Sequence, residues 1–136
     1  MRTYVFTQTA DLLHRLAVQI KQLKQAPADS DGEAIHDVRV AIRRLRQCLL
    51  VFSKLYPDDS WKKIRRKLAG VMQSCGEVRD RDIAIALLTE SGVPTGSKLV
   101  LSLQKERRAA DYDLRRELAR WHRHRLAKKF QSHLEA

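Results

Sequence analysis

Residues 32–52 read GEAIHDVRVAIRRLRQCLLVF. Ile35, Val38, Ile42, Leu45, Leu49 and Phe52 recur at three- and four-residue steps, the spacing that places side chains on one face of an α-helix. His36, Arg39, Arg43 and Arg46 step by three, four and three beside them. At about 100° per residue they form a second stripe within roughly 80° of arc. Arg44 falls outside it, toward the other flank. A solvated helix face normally mixes signs, with acids four residues before bases. This stripe holds no acid, because Asp37 points elsewhere and Glu33 is the only carboxylate near its start. Arginines gathered so closely repel one another, so the pattern predicts a negative partner: an anion-binding face bordering an apolar seam.

The same helical spacing runs through nearly the whole chain. Val5, Leu12, Leu13, Leu16, Ile20 and Leu23 predict a first helix from about Thr3 to Gln25, which APADSDG then breaks with Pro27 and Gly32. The second helix is expected from about Asp31, with Ser30 or Asp31 as its cap, to Tyr56. YPDDS ends it, and Asp59 or Ser60 can cap a third helix running to about Cys75. Gly76 is read as an interruption, so that EVRDRDIAIALLTE becomes a short further helix or a kinked continuation. SGVPTGS is the clearest loop, and helical spacing resumes from Ser97 to about Leu134. No segment reads as a strand. The expected fold is all-α: an antiparallel bundle of four long helices with one short additional helix, in a single domain spanning residues 1–136.

The chain carries 27 Lys and Arg against 16 Asp and Glu, a formal net charge of +11, which favours polyanionic partners: nucleic acid, anionic membrane or a phosphate polymer. With 43% hydrophobic and 32% charged residues it reads as globular, not disordered. Cys48 and Cys75 are far apart and form no close-spaced pair, which points to a reducing compartment and buried thiols. No apolar run reaches membrane-spanning length and the N-terminus lacks a signal-peptide core, so a cytoplasmic location and no membrane association are expected.

Beyond the stripe, the third helix turns Trp61, Ile64, Leu68, Val71, Met72 and Cys75 inward and spreads Lys62, Lys63, Arg65, Arg66 and Lys67 over the rest of its circumference. Lys63 and Arg66 are taken as its candidates for the anion. On the last helix Lys105, Arg108, Arg115, His122 and Lys129 share one line, with Leu114, Leu118 and Trp121 on its apolar side. Arg108, Arg115 and His122 are the candidates there, although Glu106, Asp111, Asp113 and Glu117 are interleaved. Bases seven residues apart on a helix are about 10 Å apart along its axis, so a row of them suits an extended chain of negative charges better than one phosphate. The arginine fork gives bidentate phosphate contacts and lysine a mobile point charge.

IHDVRVAIRRLR, followed some thirty residues on by GEVRDRDI, resembles the CHAD family, the conserved histidine α-helical domain. The resemblance is strong over roughly residues 33–90 and looser in the flanking helices. It implies an all-helical domain that binds inorganic polyphosphate along a basic surface, with His36, Arg39, Arg43, Arg44 and Arg46 lining the site. In the second motif Arg79 matches the family's arginine, with Asp80 and Asp82 following. The adjacent acids favour a structural role there, in ion pairs or caps that fix the helix after Gly76. Arg81 stands where the family usually has an apolar residue. The family domain usually contains two related helical halves, and HDVRVAIRRLR occurs once in this chain. A homodimer, joined chiefly through the last helix, is therefore expected to supply a second basic face.

Three other readings fit less well. A phosphotransfer domain would phosphorylate His36, but the histidine box of sensor kinases continues with a small polar residue and a proline, whereas Val40 and Ala41 stand here. Nonspecific nucleic-acid binding is favoured by charge alone, yet aromatic residues for base stacking make up only 6% of the chain and mostly occupy apolar positions. EAIH has the Glu-x-x-His spacing of di-iron bundles without the second pair they need, so no metal or other cofactor is expected. No nucleophile–base pair, glycine-rich phosphate loop or carboxylate cluster for magnesium stands out, which argues against an enzyme.

Overall fold

The computed structural model describes residues 2–123, 132 and 134, with residues 122 and 123 described by their helical backbone alone. Among them every regular element is helical: α1 (Arg2–Gln25), α2 (Gly32–Val51), α3 (Ser60–Glu90) and α4 (Lys98–Arg123), with single 3-10 turns at Ala28–Ser30 and Ser53–Leu55. α1 packs on α2, α2 on α3 and α3 on α4. No described helix is long and apolar enough to cross a membrane.

The apolar seams close on one another as their spacing implies. Val5, Leu13, Leu16, Ile20 and Leu23 of α1 are buried with Ile35, Val38, Ile42, Leu45 and Leu49 of α2. Ile64, Leu68, Val71, Cys75 and Val78 of α3 join the same core with Ala110, Leu114 and Leu118 of α4. Thr9 also enters it, which the spacing did not indicate, and Leu12 packs against it partly buried. A buried hydroxyl must be paired. That of Thr9 donates to the carbonyl of Val5 at 2.8 Å and shares a 2.8 Å hydrogen bond with the phenol of Tyr56. This bond ties the chain just past α2 back to the first turns of α1.

Two boundaries differ from the sequence reading. α2 stops at Val51, not near Tyr56: Phe52 is its C-cap, the 3-10 turn Ser53–Leu55 follows, and Pro57 disfavours helical geometry at Tyr56, which is extended at φ −81°, ψ 149°. The short additional helix does not exist: its residues are the second half of α3, which runs unbroken through Gly76. A helical glycine costs about 1 kcal/mol relative to alanine. The buried seam of Val71, Cys75 and Val78 continues across it and outweighs that cost. The true stop is Gly92, whose φ of +92° is left-handed and suits a residue without Cβ. Its amide donates to Thr89 O at 3.1 Å and that of Val93 to Leu88 O at 2.9 Å, the paired bonds of a Schellman terminus. The loop that follows ends at Ser97, whose hydroxyl accepts from the Val100 amide at 3.3 Å and caps α4. The other expected caps are reassigned. Asp31 and Asp59 make no side-chain cap bond, while Asp58 accepts from the Ser60 amide at 2.8 Å.

Candidate functional site: a basic face without counter-ions

The stripe on α2 is present as a continuous flank beside the buried seam. His36 and Arg43 are exposed, and Arg39 and Arg46, nearer the core, are half-buried. Arg44 is exposed on the far flank. Among the described residues none of these five makes an ion pair or a hydrogen bond through its side chain. The Nε–H groups of Arg39 and Arg46 are shielded from water and have no acceptor. An unpaired buried donor costs about 1–3 kcal/mol, more for a charged group. The fold therefore holds two charged donors in a position that an incoming anion would relieve. Arg39 reaches the side of α3 that carries Cys75: burial pushes that thiol up to about 12, while the positive charge of Arg39 pulls against the shift.

The bases of α3 divide between its flanks. Gly70, Ser74 and Arg81 mark the flank that meets α4. An added Cβ on Gly70 would lie 3.6 Å from Glu117 Oε1, the Ser74 hydroxyl donates to Glu117 Oε2 at 3.0 Å, and Arg81 Nε is 4.0 Å from Glu106 Oε2. Lys63, seven residues before Gly70, is exposed on that flank and not beside α2. Arg66 is exposed on the outer back of the helix. Arg65, which the sequence did not single out, is half-buried, and its Nε, like those of Arg39 and Arg46, is dry and unpaired.

On α4 the row of bases comes apart. Arg108 is exposed, and the side chain of His122 and all of Lys129 lie outside what the structure describes. Arg115 does not join an anion face; it is an internal counter-ion. It donates to Asp111 Oδ1 at 2.5 Å, to Asp31 Oδ2 at 2.7 Å and to the carbonyl of Ala26 at 3.0 Å. Arg107, on the neighbouring turn, donates to Asp31 Oδ1 at 2.6 Å, to Asp82 Oδ1 at 2.8 Å, to Asp111 Oδ2 at 3.1 Å and to Ala28 O at 2.7 Å. One cluster thus joins the start of α2, the middle of α3 and α4. The interleaved acids are the reason: Asp111 lies four residues from both arginines and engages each of them.

The chain matches the model of the CHAD domain over residues 9–136. It belongs to the CHAD family. Searches of curated proteins and of solved structures gave no significant match.

In this CHAD chain the two motifs occupy different surroundings. The first supplies the unpaired stripe. The second supplies Asp82 to the Arg107 cluster and Arg81 to Glu106, while Arg79 is exposed and makes no bond among the described residues. Burial disfavours charge on both arginines, but hydrogen bonds to Asp82 and Asp31 for Arg107, and to Asp31 and Asp111 for Arg115, outweigh it and push both pKa values up. Burial likewise opposes ionisation of Asp31, yet hydrogen bonds from Asp111, Arg107 and Arg115 hold its pKa below the usual carboxylate range. Asp111 behaves oppositely. Burial, then its hydrogen bond to Asp31, push it up to about 6 against the pull of Arg115. Three carboxylates facing two guanidiniums leave one negative charge in excess, and a proton on Asp111 removes it.

This arrangement has a pH signature. A carboxyl whose pKa is raised by folding contributes stability that is full below its unfolded value, near 4, and is lost as pH rises through about 6. Asp31, held low, contributes stability above the ordinary carboxylate value that is lost as pH falls below it. Urea midpoints of the CHAD chain should therefore rise as pH is lowered from about 7 to about 5, and Asp111→Asn should flatten that rise. Midpoints of the two proteins moving in parallel would assign the pH dependence to other groups.

Proposed function

We propose that this CHAD chain binds inorganic polyphosphate electrostatically along α2, without turning it over. The observation that carries the reading is the stripe of His36, Arg39, Arg43 and Arg46, unpaired with any described carboxylate and including two dry, unsatisfied Nε–H donors. Some cations elsewhere in the chain, Arg107 and Arg115 foremost, find internal partners. Those of the stripe are left for an external anion, and their row over several turns suits a linear polymer. Polymer cleavage would call for a nucleophile with its base or carboxylates holding magnesium, and the stripe offers three arginines and a histidine with no described carboxylate bonded to them.

The helices are read as an antiparallel bundle, supported by the order of contacts between α3 and α4: Ser74 meets Glu117, and Asp82 meets Arg107. A cytoplasmic setting accords with the two free, buried thiols. Pairing with a second copy through α4 would add a second basic face. Light scattering with and without polyphosphate tests the dimer, and monomers under both conditions would reject it.

Binding itself is tested by titration with polyphosphates of several lengths at two salt concentrations. Affinity should grow with length until the row is filled and fall steeply with salt, because each neutralised phosphate releases counter-ions. Orthophosphate should bind poorly. Equal affinity for orthophosphate and long chains would remove the row as the recognition element. Competition against single-stranded DNA separates the nucleic-acid reading. The exposed Tyr4 and Tyr112 lie off α2, leaving no aromatic platform in the stripe for bases to stack on.

A further inference from the structure

We infer that the polyphosphate track is a two-walled groove between α2 and α3, with Arg65 as a phosphate-binding residue on its second wall. This rests on the proposed function and extends it to a residue and a geometry.

Among the described residues three arginine Nε atoms are shielded from water without an acceptor: those of Arg39 and Arg46 on α2, and that of Arg65 on α3. Each guanidinium is partly desolvated, and none has a carboxylate partner among the described residues. Desolvation disfavours a cation unless a counter-charge arrives. The two most buried cations of the stripe and one cation of the next helix therefore share the same unmet requirement.

The contacts along α2 and α3 place the three together. Arg107 binds both Asp31, at the start of α2, and Asp82 of α3, which sets those two positions at one level. Arg39 lies within electrostatic reach of Cys75, so advancing along α2 retreats along α3 at nearly one residue for one. Seven further residues lead from Arg39 to Arg46 and bring α3 back to about Leu68, one turn, or about 5 Å, from Arg65. The flank is also right. Gly70, Ser74 and Arg81 give one side of α3 to α4. Arg65 and Met72, seven residues apart, share the other side, toward α2. One turn beyond each of them come Ala69 and Gly76, and a Cβ added to Gly76 would meet nothing within 4 Å. Small side chains on that side leave the groove open to a chain of phosphates with arginine forks on both edges. A single copy of this chain then grips the polymer from two sides. Lys63 and Arg66, on other faces of α3, do not.

Arg65→Ala should weaken binding of a long-chain polyphosphate about tenfold or more, the effect of losing one ionic hydrogen bond, and should lower the salt dependence by about one phosphate contact. Lys21→Ala, which removes one positive charge from the exposed face of α1, should change affinity less than twofold. Helix content and urea midpoint are measured for each variant, and Arg65→Gln replaces Arg65→Ala if the alanine protein is not folded. In the unaltered protein, polyphosphate should also protect Arg65 from phenylglyoxal, read by peptide mass. If Arg39→Ala weakens binding while a folded Arg65 variant binds within twofold of the parent, or if Arg65 is modified at the same rate with polymer present, the second wall is overturned and the α2 face stands alone. If the parent protein does not bind polyphosphate, the proposed function fails and this inference fails with it.

Discussion

Asp31→Ala should lower the unfolding free energy by about 3 kcal/mol, one of the two largest single-residue effects expected in this molecule. Asp31 is fully buried and accepts from both Arg107 and Arg115 across gaps of 76 and 84 residues in the chain. Removing one partner of a buried ionic network typically costs about 3–5 kcal/mol, because the remaining charge is left desolvated. The lower end applies here, since Arg107 keeps Asp82 and Asp111, and Arg115 keeps Asp111. A second readout distinguishes this from a simple packing loss. Without Asp31 the cluster holds two carboxylates and two guanidiniums, so Asp111 loses the part of its upward shift that Asp31 causes and keeps the part due to burial. The variant should show a smaller rise in stability between about pH 7 and 5 along with its lower baseline stability. Urea unfolding at several pH values measures both. A loss below about 1 kcal/mol would mean that water or neighbouring groups replace Asp31 at little cost.

Leu45→Ala and Arg39→Ala should separate fold from function within the opening helix. Leu45 is fully buried at the centre of α2, and truncating it leaves a cavity costing about 2–5 kcal/mol of stability, with affinity for polyphosphate retained where the protein is folded. Arg39 occupies the adjacent stripe. Its replacement removes an ionic contact to the anion and should weaken binding by about 1–3 kcal/mol. The same change deletes a dry, unsatisfied Nε–H and relieves repulsion from the other arginines, so stability without ligand should hold or rise slightly. Arg43→Ala should weaken binding likewise without a stability gain, since Arg43 is exposed. Circular dichroism melts beside polyphosphate titrations decide it. Arginine variants that unfold yet bind normally when folded would make the stripe structural.

Most of what α2 contributes was legible before any coordinates. A three–four alternation of apolar residues states which face is buried, and His36, Arg39, Arg43 and Arg46 could be placed beside it by turn angle alone. The same rule located most of the core, though it passed over Val78, Val100 and Ala110, and over Thr9, whose burial is accompanied by a hydrogen bond to the Tyr56 hydroxyl from a distant part of the chain. Gly76 was misread for a related reason. A glycine lowers local helix propensity, but the buried residues on either side of it, packed in the common core, outvote that preference.

The destination of the charges is where sequence and tertiary structure part. Turn angle assigns a side chain to a face of its own helix; it does not say which other helix covers that face. Arg108 and Arg115 are indistinguishable on the wheel of α4. One remains exposed, and the other is sealed against Asp31 because the end of α1 and the start of α2 come to rest there. Lys63, Arg65 and Arg66 form one basic run in the sequence, yet α3 packs against both α4 and α2, and the run is divided among exposed and half-buried surroundings. The sequence by itself determined most of the helices, most of their buried faces and the one-sign stripe, because those follow from the geometry of a single helix. Only the tertiary structure decided which cations are neutralised inside and which still lack an anion, because a charge is answered by whatever packs against it.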